Sequence, residues 1–215
     1  VAHDVTSRVV AENELKKSNE RYLYVTRATS DAIYELDLIT NQLHWGEGIQ
    51  TLFGHDPEKV SLDEWTKLLH PEDRQRILKS LEEALSMPGK SFWQEEYRFR
   101  HSDGSYAYVL DRGFVLRDEQ GTGERLIGSL QDISSRKYYE QLLSLERSIF
   151  ELSTNPKLDF RFITNTLLAG FESIHEDALS SLIMVKEDGT VEPLAAPRLP
   201  DLIIQTLRGL KLGPE

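Results

Sequence analysis

A short phrase occurs twice in this chain, and its spacing constrains the architecture more than any other feature. Asp4-Val5-Thr6-Ser7-Arg8 returns as Asp132-Ile133-Ser134-Ser135-Arg136, 132 − 4 = 128 residues later. Glu12 and Glu140 follow at the same offset, each within a charged, helix-forming stretch. A repeat at this spacing corresponds to a domain plus a connector. A β-branched residue, a hydroxyl suited to capping and then a helix former describe a strand running into a helix start. Residues 1–6 would then be the remnant of an upstream module, and the chain an excised piece of a modular protein.

Length allows one or two domains. The balance of 25 basic against 36 acidic residues gives a net charge of −11, spread along the chain without a block. Nucleic-acid binding needs clustered Lys and Arg to displace counterions, and anionic lipid needs the same. Neither is an expected partner. No apolar run approaches the ~18 residues of a membrane span, and no signal peptide opens the chain, so the expected location is cytoplasmic. With no Cys, disulfides, thiolate metal sites and cysteine nucleophiles are excluded.

Residues 7–29 contain neither Gly nor Pro, and a thin heptad seam of Leu15, Tyr22 and Val25 predicts a connector helix there. From residue 30 the pattern changes. Ala32, Tyr34 and Leu36 alternate with Ile33, Glu35 and Asp37 as in a half-buried strand, Thr40-Asn41 is a turn, and residues 43–46 return. Short helices follow around Ile49, Leu52 and Phe53, closed by Gly54, and around Trp65 with Ser61 or Asp63 as cap. Pro71 opens a longer helix from Asp73 to Leu85 that ends at Met87-Pro88-Gly89. Three strands complete the unit: Phe92 to Arg100, Tyr106 to Arg117 and Arg125 to Ile133, with Ser102-Asp103-Gly104 as the hairpin turn. Two strands, a helical middle and three antiparallel strands make an α+β domain over residues 30–134.

Residues 135–154 predict a second connector helix with a coiled-coil-like seam of Tyr138, Leu142, Leu145, Ile149 and Leu152. That stripe serves either a second subunit or the helix's own domain. Asn155-Pro156 breaks it. Residues 155–215 then show a helix to about His175, a hairpin turning at Asp188-Gly189 and a helix from Asp201 to Arg208. This is too little surface for an independent core, so the segment is expected to be truncated.

Catalytic chemistry finds no constellation. Glu95 and Glu96 are adjacent on a strand and point to opposite faces, and Asp103 sits in a turn that favours Asp for backbone reasons. The six histidines, His3, His44, His55, His70, His101 and His175, include no i, i+4 pair. No Gly-rich phosphate loop occurs. The fragment is expected to be non-catalytic and without a metal.

The middle of the chain resembles a PAS domain of the bacterial sensory type with its C-terminal PAC motif. The residues that carry the resemblance are Leu69-His70-Pro71-Glu72-Asp73-Arg74, Glu96-Tyr97-Arg98, Asp103-Gly104-Ser105-Tyr106, Arg117-Asp118 with Gly121, and Gly128 leading to Asp132-Ile133-Ser134. Val109-Leu110 after Tyr108 depart from the Trp-Val of many relatives. Residues from Leu158 onward are similar to the first half of a GAF domain, through Ser181 to Val185, Asp188-Gly189, Ala195 to Pro200 and Gly209 to Pro214. The implied fold is a five-stranded antiparallel sheet with short helices, flanked by connector helices and followed by a truncated GAF-like segment. The implied cofactor is unknown. Light-sensing relatives form a flavin adduct through a cysteine this chain lacks, and His70 lies in a motif shared with relatives that bind no haem.

The resemblance also implies a small-molecule pocket between the sheet's inner face and the helices, with Tyr34, Leu36, Arg98, Val109, Asp111 and Gly113 as candidates. Pattern alone leaves the inner face open. The family register places Val109, Asp111, Gly113 and Val115 inward, with Glu96 and Arg98 beside them and the aromatic face of Trp93, Tyr97 and Phe99 outside. Arg98 and Asp111 would then form an internal ion pair or meet a ligand. The outer face would be covered by the N-terminal helix or a second subunit, giving a homodimer through the connector helices and the sheet. Asp132, Ile133, Ser134 and Arg136 would form the signal relay, with Asp132 tethering the helix start through Arg136 or a nearby amide. Such modules feed histidine kinases of two-component systems, diguanylate cyclases or phosphodiesterases of cyclic-di-GMP signalling; a ligand-free dimerisation spacer is the alternative.

Overall fold

The computed structural model describes residues 9, 10, 16, 17, 31–175 and 177–211. The expected remnant at 1–6 and the connector helix over 7–29 therefore lie outside the described residues, except for Val9, Val10, Lys16 and Lys17, which are helical. The chain divides into two compact units, one ending at Ser134 and the other beginning at Ser135.

In the first unit, β1 (Ala32–Asp37) and β2 (Gln42–Trp45) form a hairpin whose turn is set by the Asp37 carboxylate accepting from the Ile39 and Thr40 amides. Helices α1 (Gly48–Phe53), α2 (Leu62–Leu68) and α3 (Pro71–Ser86) follow. Each boundary has a local cause. Gly54 closes α1 in the left-handed region, at φ 75°, and Ser61 caps α2 by accepting from the Glu64 amide at 3.3 Å. His70 precedes Pro71 and caps α3 through Nδ1.

Strands β3 (Phe92–Arg100), β4 (Tyr106–Arg117) and β5 (Gly123–Asp132) complete a five-stranded antiparallel sheet in the order β2-β1-β5-β4-β3. The last strand lies in the middle, so β5 bridges the N-terminal hairpin and the C-terminal one. The three helices bury Ile49, Phe53, Trp65, Leu68, Ile77, Leu81 and Ala84 in the core they share with the sheet. This is the expected α+β arrangement.

Arg117 of β4 ties the C-terminal end of α3 to the sheet. The Arg117 guanidinium donates to the carbonyls of Ala84, Leu85, Met87, Lys90 and Gly121 at 2.9–3.1 Å. It thus satisfies the C-terminal end of α3, where carbonyls have no intrahelical partner and the helix dipole favours a cation.

The second unit holds α4 (Ser134–Ser153, nearly all of it), α5 (Phe160–Ile174), a hairpin of β6 (Leu182–Val185) and β7 (Val191–Ala195), and α6 (Asp201–Leu207). Asp159 caps α5, and the buried Glu172 carboxylate accepts from the amide and hydroxyl of Ser180. Part of the α4 seam packs within this unit. Leu145 lies against Gly170, and the Tyr138 ring stands 5.6 Å from the His175 ring.

Candidate sensing chamber

The inner face of the sheet is decided by cross-strand pairing. Tyr97 lies opposite Val109, Glu95 opposite Asp111 and Trp93 opposite Gly113. Directly opposite residues share a face, so the aromatic side of β3 faces the same way as Val109, Asp111, Gly113 and Val115. Trp93, Tyr97 and Phe99 are accordingly buried. The expectation that these aromatics lie outside, with Glu96 and Arg98 turned in, is corrected by this pairing.

Arg98 is displaced with them. Its guanidinium donates to the Asp73 carboxylate at 2.9 Å and to Glu72 at 2.8 Å, and Asp73 also accepts the Arg98 amide. This bond anchors the N-terminal turn of α3 to β3, where the helix dipole favours the two acids. The Arg98 pair holds the Asp73 carboxyl below its usual value despite partial burial. There is no Arg98–Asp111 ion pair. A half-exposed guanidinium keeps its hydration and its acids, where an internal one would lose the first.

Around Asp111 the structure assembles a small chamber lined by Tyr34, Leu36, Leu43, Trp45, Leu62, Trp65, Leu81, Trp93 and Leu126 as well. Of the expected pocket residues, Tyr34, Leu36 and Asp111 line it. Val109 and Gly113 lie on the same sheet face, Val109 fully buried beside Tyr97. The chamber is partly open and holds about 20 Å³, the room of one water molecule.

Asp111 is 1% exposed, yet no Lys or Arg among the described residues pairs with it. Its partners are two phenols: Tyr34 donates to Oδ1 at 2.9 Å and Tyr97 to Oδ2 at 2.7 Å. Tyr97 in turn accepts from the Trp65 indole at 3.3 Å. Burial pushes the Asp111 carboxyl up to about 7, the two phenol hydrogen bonds opposing it only in part. Burial and the neighbouring acid push both tyrosines well above their usual range. Of this network, Tyr34 and Asp111 belong to the expected site, whereas Tyr97 and Trp65 do not.

Two glycines make room for it. Gly113 and Gly128 face each other across β4 and β5, and Tyr34 lies opposite Gly128 on the other side. A Cβ at Gly128 would collide with the Tyr34 ring and the Arg112 carbonyl. The bare backbone lets the phenol lie flat across β5 and reach Asp111.

At the far end of β5 the chain enters α4 through a hydrogen-bonded junction. Ile133 donates its amide to the Tyr108 carbonyl at 2.8 Å, and Tyr108 donates its amide to Ser134 Oγ at 3.0 Å. The Asp132 carboxylate accepts from the Ser134 amide at 2.8 Å, a local backbone tether. Arg136 stands 3.8 Å from Glu140, one turn on. Ile133 is buried.

Among the described residues no group of three or more His, Asp or Glu collects as a metal site, and no helix is long and apolar enough to cross a membrane. Residues 42–130 match the PAS fold family. The chain is 27% identical over 211 residues to the methyl sulfide methyltransferase-associated sensor of Methanosarcina acetivorans, covering 94% of this chain and 20% of that protein. It is 30% identical over 111 residues to the sensor protein FixL of Bradyrhizobium diazoefficiens, covering 51% of this chain and 22% of that one. A sensory box histidine kinase/response regulator from Burkholderia thailandensis superposes with a TM-score of 0.52 at 24% identity, over 61% of this chain and 98% of that structure. The chain spans about a fifth of the length of these two curated relatives. Its first unit has the PAS fold, and sensor and signal-transduction proteins are among its sequence relatives.

Proposed function

We propose that this chain is a non-catalytic sensory and relay module. The state of the chamber is read by the sheet and passed through Asp132, Ile133, Ser134 and Arg136 into α4. The observation that carries this reading is the junction itself. The pairing of β5 with β4 continues past the strand end, through Ile133 and Ser134, into the first residue of the helix. A change in sheet strain is therefore delivered to a helix start, the kind of element two packings can bias. In this reading residues 96–134 include the PAC motif, residues 155–215 form the first part of a GAF domain downstream, and the parent protein ends in a kinase, cyclase or phosphodiesterase. The connector helices and the outer sheet face join two copies.

Asp132→Ala in the full-length protein tests the relay. The output activity should lose its dependence on input, while tryptophan emission and the urea midpoint of the first unit stay close to wild type. Unaltered signalling in a folded variant removes the relay.

A second reading, a ligand-free dimerisation spacer, is favoured by the small chamber and by the aromatics left on the outer face. Phe92 and Phe114 meet there as tilted rings 5.0 Å apart, with Tyr106, Tyr108 and Leu116 also exposed. Native mass spectrometry separates the two. A co-purified small molecule supports the sensor, and a ligand-free dimer supports the spacer.

A further inference from the structure

The chamber offers an acceptor and no spare donor. Three indoles line it, and each N–H is engaged: Trp45 with the Val60 carbonyl at 3.1 Å, Trp65 with Tyr97 at 3.3 Å, and Trp93 with the Ser80 hydroxyl at 3.1 Å. Both phenols are spent on Asp111. What remains towards the space is aromatic and leucine surface and a carboxylate with about four acceptor positions, of which two are filled.

We infer that this chamber binds a small monovalent ammonium-type cation, ammonium or a short alkylammonium, held by the Asp111 carboxylate among Trp45, Trp65 and Trp93. The inference rests on the sensory reading above and names the ligand class of that site. Two alternatives meet a physical obstacle, and a neutral donor such as water is separated from the cation by the test below. An anion would face a carboxylate with no donor to satisfy it, and a neutral apolar molecule would leave the open acceptor positions of the buried acid unfilled. A cation gains both the acid and the negative faces of the rings, an attraction that grows when water is excluded. Size sets the limit. A space of about 20 Å³ takes one water-sized species, and ammonium has that size. Leu43 of β2 and Leu62 of α2 are only partly buried, and their side chains are the part of the wall that would turn to admit a methyl group.

Binding is linked to a proton. With no cation beside it, burial holds the Asp111 carboxyl up to about 7, so below that pH the entering cation must displace a proton. The other titratable groups towards it are Tyr34 from β1 and Tyr97 from β3, both pushed well above their usual range, and Glu95 directly across on β3. Glu95 is engaged by Arg76 at 2.5 Å and Ser80 at 2.6 Å. From α2, α3 and β5 the chamber receives Trp65, Leu81 and Leu126, which do not titrate. Affinity should therefore fall about tenfold per pH unit below the Asp111 midpoint.

The test titrates the full chain with ammonium chloride and with methylammonium chloride at constant ionic strength, against sodium chloride. Emission of the tryptophans, all three of which line the chamber, is the readout, together with the thermal midpoint that they report. The expected result is a saturable emission change and a raised midpoint, given by ammonium or methylammonium and not by methanol, its neutral isostere, or by tetramethylammonium. The effect should weaken by at least about tenfold between about pH 8 and about pH 5.5, and it should vanish in Asp111→Asn. A response that does not exceed sodium chloride, or one that methanol reproduces, overturns the inference and leaves a buried water as the occupant. So does an Asp111→Asn protein that responds like wild type. If that variant does not fold, the comparison of methylammonium with methanol on wild type decides alone. A failure here leaves the Asp132→Ala relay result standing, and an intact cation response with unaltered signalling in Asp132→Ala would sink only the relay.

Discussion

Replacing Asp111 by Asn should make the first unit more stable at neutral pH and change its pH dependence in a way the structure fixes in advance. Asp111 is buried, unpaired with any Lys or Arg among the described residues, and hydrogen-bonded by Tyr34 and Tyr97. Its carboxyl rises from 3.8 to about 7. The folded chain thus keeps a proton that the unfolded chain releases. The stability this group contributes is fully present below the unfolded value and is lost as pH rises to the folded one. The loss is about 1.4 kcal/mol per pH unit over roughly three units, or about 4 kcal/mol in all, and it is flat above about pH 7. Asn has no charge to bury, and its amide imitates the protonated acid, so one phenol must turn from donor to acceptor in either case. The two proteins should be about equally stable near pH 4, with Asp111→Asn ahead by about 4 kcal/mol at pH 7.5. Urea unfolding read by tryptophan emission measures this cleanly, because Trp45, Trp65 and Trp93 all lie in the first unit. Other titrating groups cancel in the difference between the two proteins. A difference that stays constant from pH 4 to pH 8 would refute the reasoning, since it would mean the carboxyl is hydrated or paired.

Three further substitutions probe the frame around the chamber. Arg117→Ala should lower the urea-derived stability of the first unit by about 2–3 kcal/mol by stripping the carbonyls at the end of α3, and Arg117→Lys should recover little because an ammonium cannot reach all five. Gly128→Ala should cost about 3 kcal/mol as the Tyr34 ring is forced off β5, and circular dichroism should show a lower thermal midpoint. Arg98→Ala should cost only about 1 kcal/mol, since its bonds to Asp73 and Glu72 are partly solvated, and should leave the pH profile assigned to Asp111 where it was; a moved profile would place Arg98 at the chamber after all.

Much of the frame was legible because the signals are local. The alternation of Ala32, Tyr34 and Leu36, the Pro71 that opens α3 and the Gly54 that closes α1 each follow from short-range sterics. The inward face of β3 is not legible from its own residues, because both of its faces carry an aromatic and a charge. A usable signal was nevertheless present. A hairpin centred on Asp103 pairs odd-numbered residues with odd-numbered ones, so an inward Asp111 requires an inward Tyr97 and an outward Arg98. The Asp111 triad then follows, since Tyr97 and Tyr34 are the inward phenols nearest it. The Arg117 cap had no comparable sequence signal. It depends on where the end of α3 comes to rest against β4, which is a tertiary fact. The Asp132 phrase pointed to a strand–helix junction from its residue types, and the bond partners of Ser134 came only with the sheet register.

Hydrogen exchange across the junction tests the relay most directly. Amide exchange at Ile133, Ser134 and the first turn of α4 should be compared between wild type and Asp111→Asn, and again with Asp132→Ala in each. If the sheet delivers the chamber's state to the helix, the Asp111 substitution alters protection in that turn, and Asp132→Ala abolishes the difference. Altered exchange confined to residues 31–132, with an unchanged helix start in every protein, would contradict it.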